Sequence, residues 1–504
     1  MSTLSDLLPA GSGGKQVDFV ADGSINKGQT VALKTDGKVE PISSTSYNNE
    51  FQNQFLTTNL GSGYTNSRNI APVWDSSAGK LVVGALGGGL VKIWVATESG
   101  TIGSNYSLNQ GTPVNVDNSY TNGSFQGLAY HVTGERVVVM LTDASYQNLY
   151  AYPVEIASNG TITVGSQVTV DTGSNLEDGK LIYDTVNNKL VAIYRNNGVS
   201  KYTVMSVSGG SLTNNYTANI GIGTITDTDF KYLQQTGQVG LAYKDSANNY
   251  YPMALIGTVS GNTVSWGTAN QVASTGEGPR IAQDNNGQIG FFIARVGGTN
   301  QPTEGYAGTL SGNNVTFGTG VDIYNPNGEE YLAAYFDTNA KQFVVAADSD
   351  TSTYSKIWLA TISGSTLSWV QNQYNMRGNS GTLFIRTTAG FYAPEAASGT
   401  GTGFFYWLDD GGGVYLGLSY ARPAYTINLN ENFIGIADSA IANTATGSVT
   451  IKGGIATNTS LPTLTPNSVY YVQGDGTVST TSTSPAVRIG KALSSTSINL
   501  EFNS

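Results

Sequence analysis

SGNTVSWG, Ser260–Gly267, returns as SGNNVTFG at Ser311–Gly318 and as SGSTLSW at Ser363–Trp369. Each copy places a hydroxyl and a glycine at a turn, then alternates polar with β-branched or aromatic residues, the pattern of a hairpin opening into a strand. Looser counterparts of the turn glycine stand in ESGTIG (Gly100), SNGTITVG (Gly160) and SGGSLT (Gly210). From Gly100 through Gly160, Gly210, Gly261 and Gly312 to Gly364 the intervals are 60, 50, 51, 51 and 52 residues. Regular intervals of this length mark stacked structural repeats.

A second marker runs in step with the first. GKLVVGA (Leu81), ERVVVML (Val137), NKLVAIY (Leu190), GQVGLAY (Val239), GQIGFFI (Ile289) and KQFVVAA (Phe343) are short apolar runs that each follow a turn. AGFYAPE, at Phe391, reads as the seventh. An aromatic-Asp pair precedes the turn in three units: Trp74-Asp75, Tyr183-Asp184 and Phe336-Asp337. Each unit is therefore strand, tight turn, strand, loop, strand, SG-type turn, strand. Four antiparallel strands in about 50 residues make one propeller blade. Seven units predict an all-β fold, a seven-bladed β-propeller over residues 61–425. A β-solenoid would repeat at shorter intervals, and two stacked sandwiches would not repeat so evenly.

Composition agrees. The chain has 504 residues, too many for one ordinary core, with 63 Gly, 29 Tyr, 10% aromatic and only 12% charged residues. With 39% hydrophobic residues it can bury a core in spite of its low charge. A net charge of −11, and no cluster of Lys and Arg, exclude a nucleic-acid partner. The absence of cysteine excludes disulfides and thiolate metal sites. MSTLSDLLPAGSGGK lacks the basic and apolar regions of a secretory signal, and no apolar run is long enough for membrane insertion. A cytoplasmically made chain with the composition of a surface protein fits a particle assembled inside a cell and released by lysis.

The segments outside the repeats resemble each other. KGQTVALKTDGKVEPIS (Lys27–Ser43) and PNSVYYVQGDGTVSTT (Pro466–Thr481) both run a strand into Asp-Gly (Asp36-Gly37, Asp475-Gly476), then one residue, then Val (Val39, Val478). The second copy is followed by Ile489-Gly490-Lys491-Ala492. The matching Ile434-Gly435-Ile436-Ala437 of the first copy comes about 400 residues after it. The economical reading is a two-repeat β-barrel, residues 1–60 with 426–504, into which the propeller is inserted.

Catalytic chemistry finds little support. His131, in LAYHVTGE, is the chain's one histidine, and reads as a satisfied sheet residue. No GxSxG elbow, Walker loop or dinucleotide fingerprint stands between a strand and a helix. The glycine runs at 11–14, 87–89 and 411–413 are loops. The paired acids Asp227/Asp229, Glu329/Glu330 and Asp409/Asp410 are the candidates for a glycosidase. Adjacent acids on a strand point to opposite faces, and acids in turns are ordinarily hairpin formers. Asp348 and Asp350 lack a calcium-loop pattern. SGNTVSWG also departs from the Asp-box of sialidases, S-x-D-x-G-x-x-W, at both the Asp and the Gly. The nine arginines (68, 136, 195, 280, 295, 377, 386, 422 and 488) recur at no fixed place in the units. No catalytic, cofactor-binding or metal-binding residue is assigned.

The terminal segments LLPAGSGGKQVDFVADGSINKGQTVALKTDGKV, FIGIADSAIANTATGSVTIKGG, VYYVQGDGTVST and RIGKAL carry one resemblance. They are similar to segments of virion proteins of marine tailed bacteriophages, in which a small β-barrel sits on the head or in tail fibres. The resemblance covers roughly the first 60 and last 80 residues and says nothing of the propeller. It implies a non-enzymatic structural protein of the virion, a fibre, appendage or capsid decoration. Its terminal barrel would dock on other virion proteins or self-associate, and its propeller would be a displayed head. Read separately from the residues, aromatic faces that stack on sugar rings make host surface glycan the expected target of that head. The Tyr-, Ser-, Asn- and Gly-rich loops (Tyr146–Tyr150, Asn248–Tyr251, Tyr354) have the composition of adaptable recognition surfaces. The alternative is a carbohydrate-binding or glycan-cleaving propeller, a lectin or glycoside-hydrolase-like protein outside any particle.

Overall fold

The computed structural model describes residues 15–501, apart from 60–70, 120–122, 295–302, 324–331, 348–355, 376–384, 397–400, 410–414, 458–460 and positions 88, 103, 395 and 483. The chain divides into two compact units, residues 48–424 and residues 1–47 with 425–504.

The larger unit is a propeller-type fold. Among the described residues it holds seven consecutive antiparallel sheets, each running outward from first strand to fourth. Sheet four is typical: Ile225–Leu233, Gln238–Asp245, Tyr251–Ser260 and Thr263–Trp266. Each first strand lies against the first strand of the next sheet, and that of sheet seven (Ile385–Ala393) against that of sheet one (Ala71–Asp75). The apolar runs found in the sequence form the second strands of sheets one to six, buried on both faces, which is why they read as continuous rather than alternating. In Arg136–Thr142, Val137, Val139 and Leu141 pack toward sheet one, while Val138 and Met140 pack toward sheet three. The last of these cores joins sheet seven to sheet one through Phe404, Ala393, Leu81 and Trp94.

The turn glycines carry the φ their positions require. Gly261, Gly312 and Gly364 stand at +59°, +57° and +60° in the hairpins between third and fourth strands. The glycine that closes the motif has a different task. A Cβ on Gly267 would overlap the carbonyl oxygen of Asn313 and lie 2.6 Å from its carbonyl carbon, and one on Gly318 would overlap the carbonyl oxygen of Ser365. Asn313 and Ser365 belong to the SG hairpins of the following sheets, so each closing glycine is the seat of the next hairpin. The Asn313 side chain completes the joint, donating to Ser265 O (2.7 Å) and accepting from Thr258 Oγ1 (2.6 Å) and Gln238 Nε2 (2.9 Å).

Sheet seven departs from the sequence reading in two ways. Phe391 lies on its first strand, and the second strand is Thr402–Asp409. Its fourth strand is Glu50–Asn59, paired with Tyr415–Arg422 in a register that sets Glu50 opposite Arg422 and Phe55 opposite Gly417. Residues 50–59, placed with the terminal segments on sequence grounds, are thus the outer strand of the last sheet. This explains why SGSTLSW is followed by Val370 rather than glycine: sheet seven has no SG hairpin to seat.

The smaller unit contains two five-stranded sheets with the same internal order. One runs Gln16–Val20, Thr446–Ile451, Phe433–Ala437, Thr30–Leu33, Val39–Pro41; the other runs Ile455–Thr457, Ser497–Leu500, Ala486–Ser494, Val469–Gln473, Val478–Ser479. The correspondence extends to single bonds. Gly28 N donates to Ala437 O and Asn467 N to Ala492 O, both at 2.8 Å and both from residues at positive φ. In the paired turns Gly37 and Gly476 share a φ of +83°, and Asp36 and Asp475 accept from Lys38 N and Thr477 N. Thr30 Oγ1 donates to Gly476 O (2.6 Å), tying the first copy to the second. In the second copy only residues 480–485 separate the strands Val478–Ser479 and Ala486–Ser494; in the first, residues 42–432 separate their counterparts.

Candidate functional site

The aromatic-Asp pairs cap hairpins. Asp75 Oδ1 accepts from the backbone N–H of Ser77 and Ala78, Asp184 Oδ1 from Val186 and Asn187, and Asp337 Oδ1 from Asn339 and Ala340, all at 2.9–3.0 Å. Asp284 does the same in sheet five, from Asn286 and Gln288. In sheet two this position is His131. Fully buried, it accepts from Gly134 N through Nδ1 at 2.9 Å, and its ring packs on Tyr183 with centroids 4.6 Å apart. An accepting Nδ1 places the proton on Nε2, and burial pushes the imidazole below its ordinary pKa, so the ring is neutral. The histidine does the work of a capping aspartate.

The paired acids on first strands join neighbouring sheets. Asp227, at a φ of +48°, accepts from Gly278 N (2.6 Å) and lies 3.6 Å from Arg280 Nη1. Asp229 accepts from Ile281 N (3.0 Å) and lies 3.6 Å from Lys231 Nζ. Arg280 Nε reaches Leu332 O in sheet six (2.6 Å), and Lys231 Nζ donates to Gly390 O in sheet seven (3.1 Å). Lys231 therefore links the inner strands of sheets four and seven, which are not neighbours in the series. Asp178, 3.2 Å from Arg195, is raised by burial; Lys180 is lowered by burial and by the nearby Arg280. Charges of both signs meet here, and Asp227 and Asp229 are tied to backbone donors of the next sheet. These acids join the first strands of neighbouring sheets.

Asp409 ends the second strand of sheet seven. Glu329, Glu330, Asp348, Asp350, Tyr354 and Asp410 lie outside the described residues. Among the described residues no three His, Cys, Asp or Glu side chains converge as a metal site, and no helix is long and apolar enough to cross a membrane. The arginines serve separate ends: Arg136 pairs with Glu155 (2.9 Å), Arg195 with Glu177 and Asp178, and Arg422 is buried.

The tyrosine loops belong to the turns between second and third strands. Tyr146 is half-buried at a φ of +56°, and Tyr250 is 55% exposed at +57°, with the Lys244 ammonium 5.6 Å from its ring centroid. Asp143 and Asp245, at equivalent ends of second strands, hold these turns. Asp143 Oδ1 accepts from Gln147 N (2.9 Å) and Asp245 Oδ1 from Ala247 N (2.9 Å). Burial would raise the Asp143 carboxyl, but hydrogen bonds led by that from Asn148 hold it below its ordinary value. Composition marked these loops; their conformation and the bonds between them had no local signal in the sequence.

No family model matches the chain, and no curated protein matches it. Solved structures resemble it distantly. A fungal alcohol oxidase in complex with copper is 9% identical with a TM-score of 0.45, covering 88% of this chain and 93% of its own. The Dos1 propeller is 11% identical with a TM-score of 0.42, covering 80% and 95%. The NanB sialidase of Streptococcus pneumoniae is 11% identical with a TM-score of 0.38, covering 73% and 70%. Likeness at this level lends the chain no activity.

Proposed function

We propose that this chain is a non-enzymatic structural protein of a tailed-phage virion. In this reading its seven sheets are the blades of one seven-bladed β-propeller, inserted into a barrel module built from both termini. The observation that carries the proposal is the duplication in the smaller unit. One copy joins equivalent strands through residues 480–485; the other carries the entire propeller in the same connection. A compact module that tolerates so large an insertion suits a mounting base bearing a displayed head. The base would meet other virion proteins or further copies of itself, and the propeller would engage host surface saccharide. The commitment of Asp227 and Asp229 to backbone donors favours binding over cleavage.

A mass-spectrometric inventory of purified particles, with antibody labelling under the electron microscope, tests the assignment. The expected result is the protein at a fixed stoichiometry on the particle surface. Its absence from particles refutes the virion reading, and glycan cleavage abolished by Asp409→Asn refutes the non-enzymatic one.

A further inference from the structure

In antiparallel sheets of four strands, the turns between second and third strands emerge at the same end as the connections to the next sheet. In sheets two, three and four that end is knit into one rim. Leu176 N donates to Tyr146 O (3.0 Å), Asn197 N to Ser174 O (2.7 Å), Thr224 Oγ1 to Gly198 O (2.6 Å), Ser246 N to Thr224 O (3.0 Å) and Tyr250 N to Asp245 O (2.8 Å). The bonds lead from Tyr146 to Tyr250 across three sheets, so the rim is a fixed surface rather than a set of independent loops.

This rim also concentrates unfavourable backbone. Tyr146, Asn175, Asn197, Asn249 and Tyr250 all have φ between +49° and +57°. Asparagine tolerates the left-handed region, but tyrosine does not: its Cβ crowds the following carbonyl, a cost glycine would not incur. Residues kept in such conformations are concentrated at ligand-contacting positions. Here the strained residues are two aromatics, flanked by the exposed amides of Asn175, Asn197 and Asn249. The ionic groups close by are already paired: Lys201 with Asp171 (2.9 Å) and Lys244 with Glu277. The carboxylates of Asp143 and Asp245 accept from their own turns.

We infer that the rim from Tyr146 to Tyr250 is a binding surface for a neutral saccharide, whose pyranose faces stack on the tyrosine rings while the asparagine amides bond its hydroxyls. Aromatic rings offer a large rigid contact at low entropic cost, and amides both donate and accept as sugar hydroxyls do. The inference deepens the display reading by naming the surface and the ligand class.

The test uses the full 504-residue chain. Dextran, mannan and galactan are immobilised as neutral probes, with heparin and polysialic acid as anionic comparators. The wild-type chain is expected to bind at least one neutral polysaccharide and neither anionic one. Tyr146→Gly and Tyr250→Gly are each expected to weaken that binding roughly tenfold or more, the loss typical of an aromatic anchor. Their thermal midpoints should stay level or rise, because glycine relieves the backbone. Tyr250→Phe should keep most of the binding. Unchanged binding by both glycine variants, a fall in their midpoints, preference for the anionic probes or no neutral binding overturns the inference. Failure here leaves the particle inventory standing, and absence from particles leaves a measured saccharide affinity standing.

Discussion

Gly267→Ala isolates the joint between sheets four and five. The new methyl would overlap the carbonyl oxygen of Asn313 and stand 2.6 Å from its carbon, where ordinary contact begins near 3.4 Å. What blocks it is backbone, and that backbone is pinned by the three Asn313 side-chain bonds to Ser265, Thr258 and Gln238. Backing the hairpin away by about 1 Å takes all three bonds out of range, at about 1 kcal/mol each. Alanine recovers about 0.4–1 kcal/mol by restricting the unfolded chain, since Gly267 has no positive φ to forbid it. The net loss is about 2–3 kcal/mol, read as a lower midpoint in urea followed by tyrosine and tryptophan fluorescence. Gly261→Ala provides the contrast. Nothing lies within 4 Å of its added Cβ, so it carries only the left-handed penalty of about 1 kcal/mol. Val370→Ala, at the corresponding place where no hairpin follows, should lose only side-chain packing. A Gly267→Ala midpoint equal to wild type would refute the seat-and-hairpin account.

Three further outcomes follow from the same geometry. Burial raises the Asp337 carboxyl to about 6; between its unfolded value near 3.9 and about 6 the folded state binds more protons, so this group's contribution to stability falls as pH rises through that window. The span is about 2 pKa units, roughly 3 kcal/mol at most, and Asp337→Asn should flatten the wild-type pH profile by up to that amount; parallel profiles would refute it. His131→Ala, which leaves Gly134 N without its acceptor, should lower the unfolding free energy by about 1–2 kcal/mol, read from urea titrations, while His131→Asn, which restores an acceptor, should recover most of it. Replacing residues 44–428 by a copy of the 480–485 link should leave a smaller unit that unfolds cooperatively by circular dichroism; a non-cooperative melt would refute the equivalence of the two copies.

The repeat was legible because its markers are local. Gly100, Gly160, Gly210, Gly261, Gly312 and Gly364 all have positive φ, and a turn that demands glycine announces itself in six letters. The second strands were legible because burial on both faces writes an unbroken apolar run. Sheet seven was misread because its outer strand lies more than 300 residues from its neighbours, and nothing in FQNQFLTTN names Tyr415–Arg422 as a partner. The matching IG phrases of the ends occupy equivalent strands, and the DG phrases equivalent turns, in two sheets of the same order. The acids were recognisable as acids, but their partners Gly278 N and Ile281 N come from the next repeat, about 50 residues on. Tyr146 and Tyr250 stood out by composition alone. Their left-handed backbone depends on Asp143, Asp245 and the adjoining loops, a tertiary constraint that no short window contains.

The strand Glu50–Asn59 has a temporal consequence. It is synthesised before its partner Tyr415–Arg422, which follows only after more than 350 further residues. At about 5–20 residues per second, that is a wait of roughly 20–70 s as an unpaired edge. A hydrophobic edge exposed for so long would invite pairing with other nascent chains. FQNQFLTTN meets the hazard with amides and hydroxyls at six of its nine positions, leaving Phe51, Phe55 and Leu56 as its apolar residues. The polarity that hid this strand from a search for cores is what lets it wait.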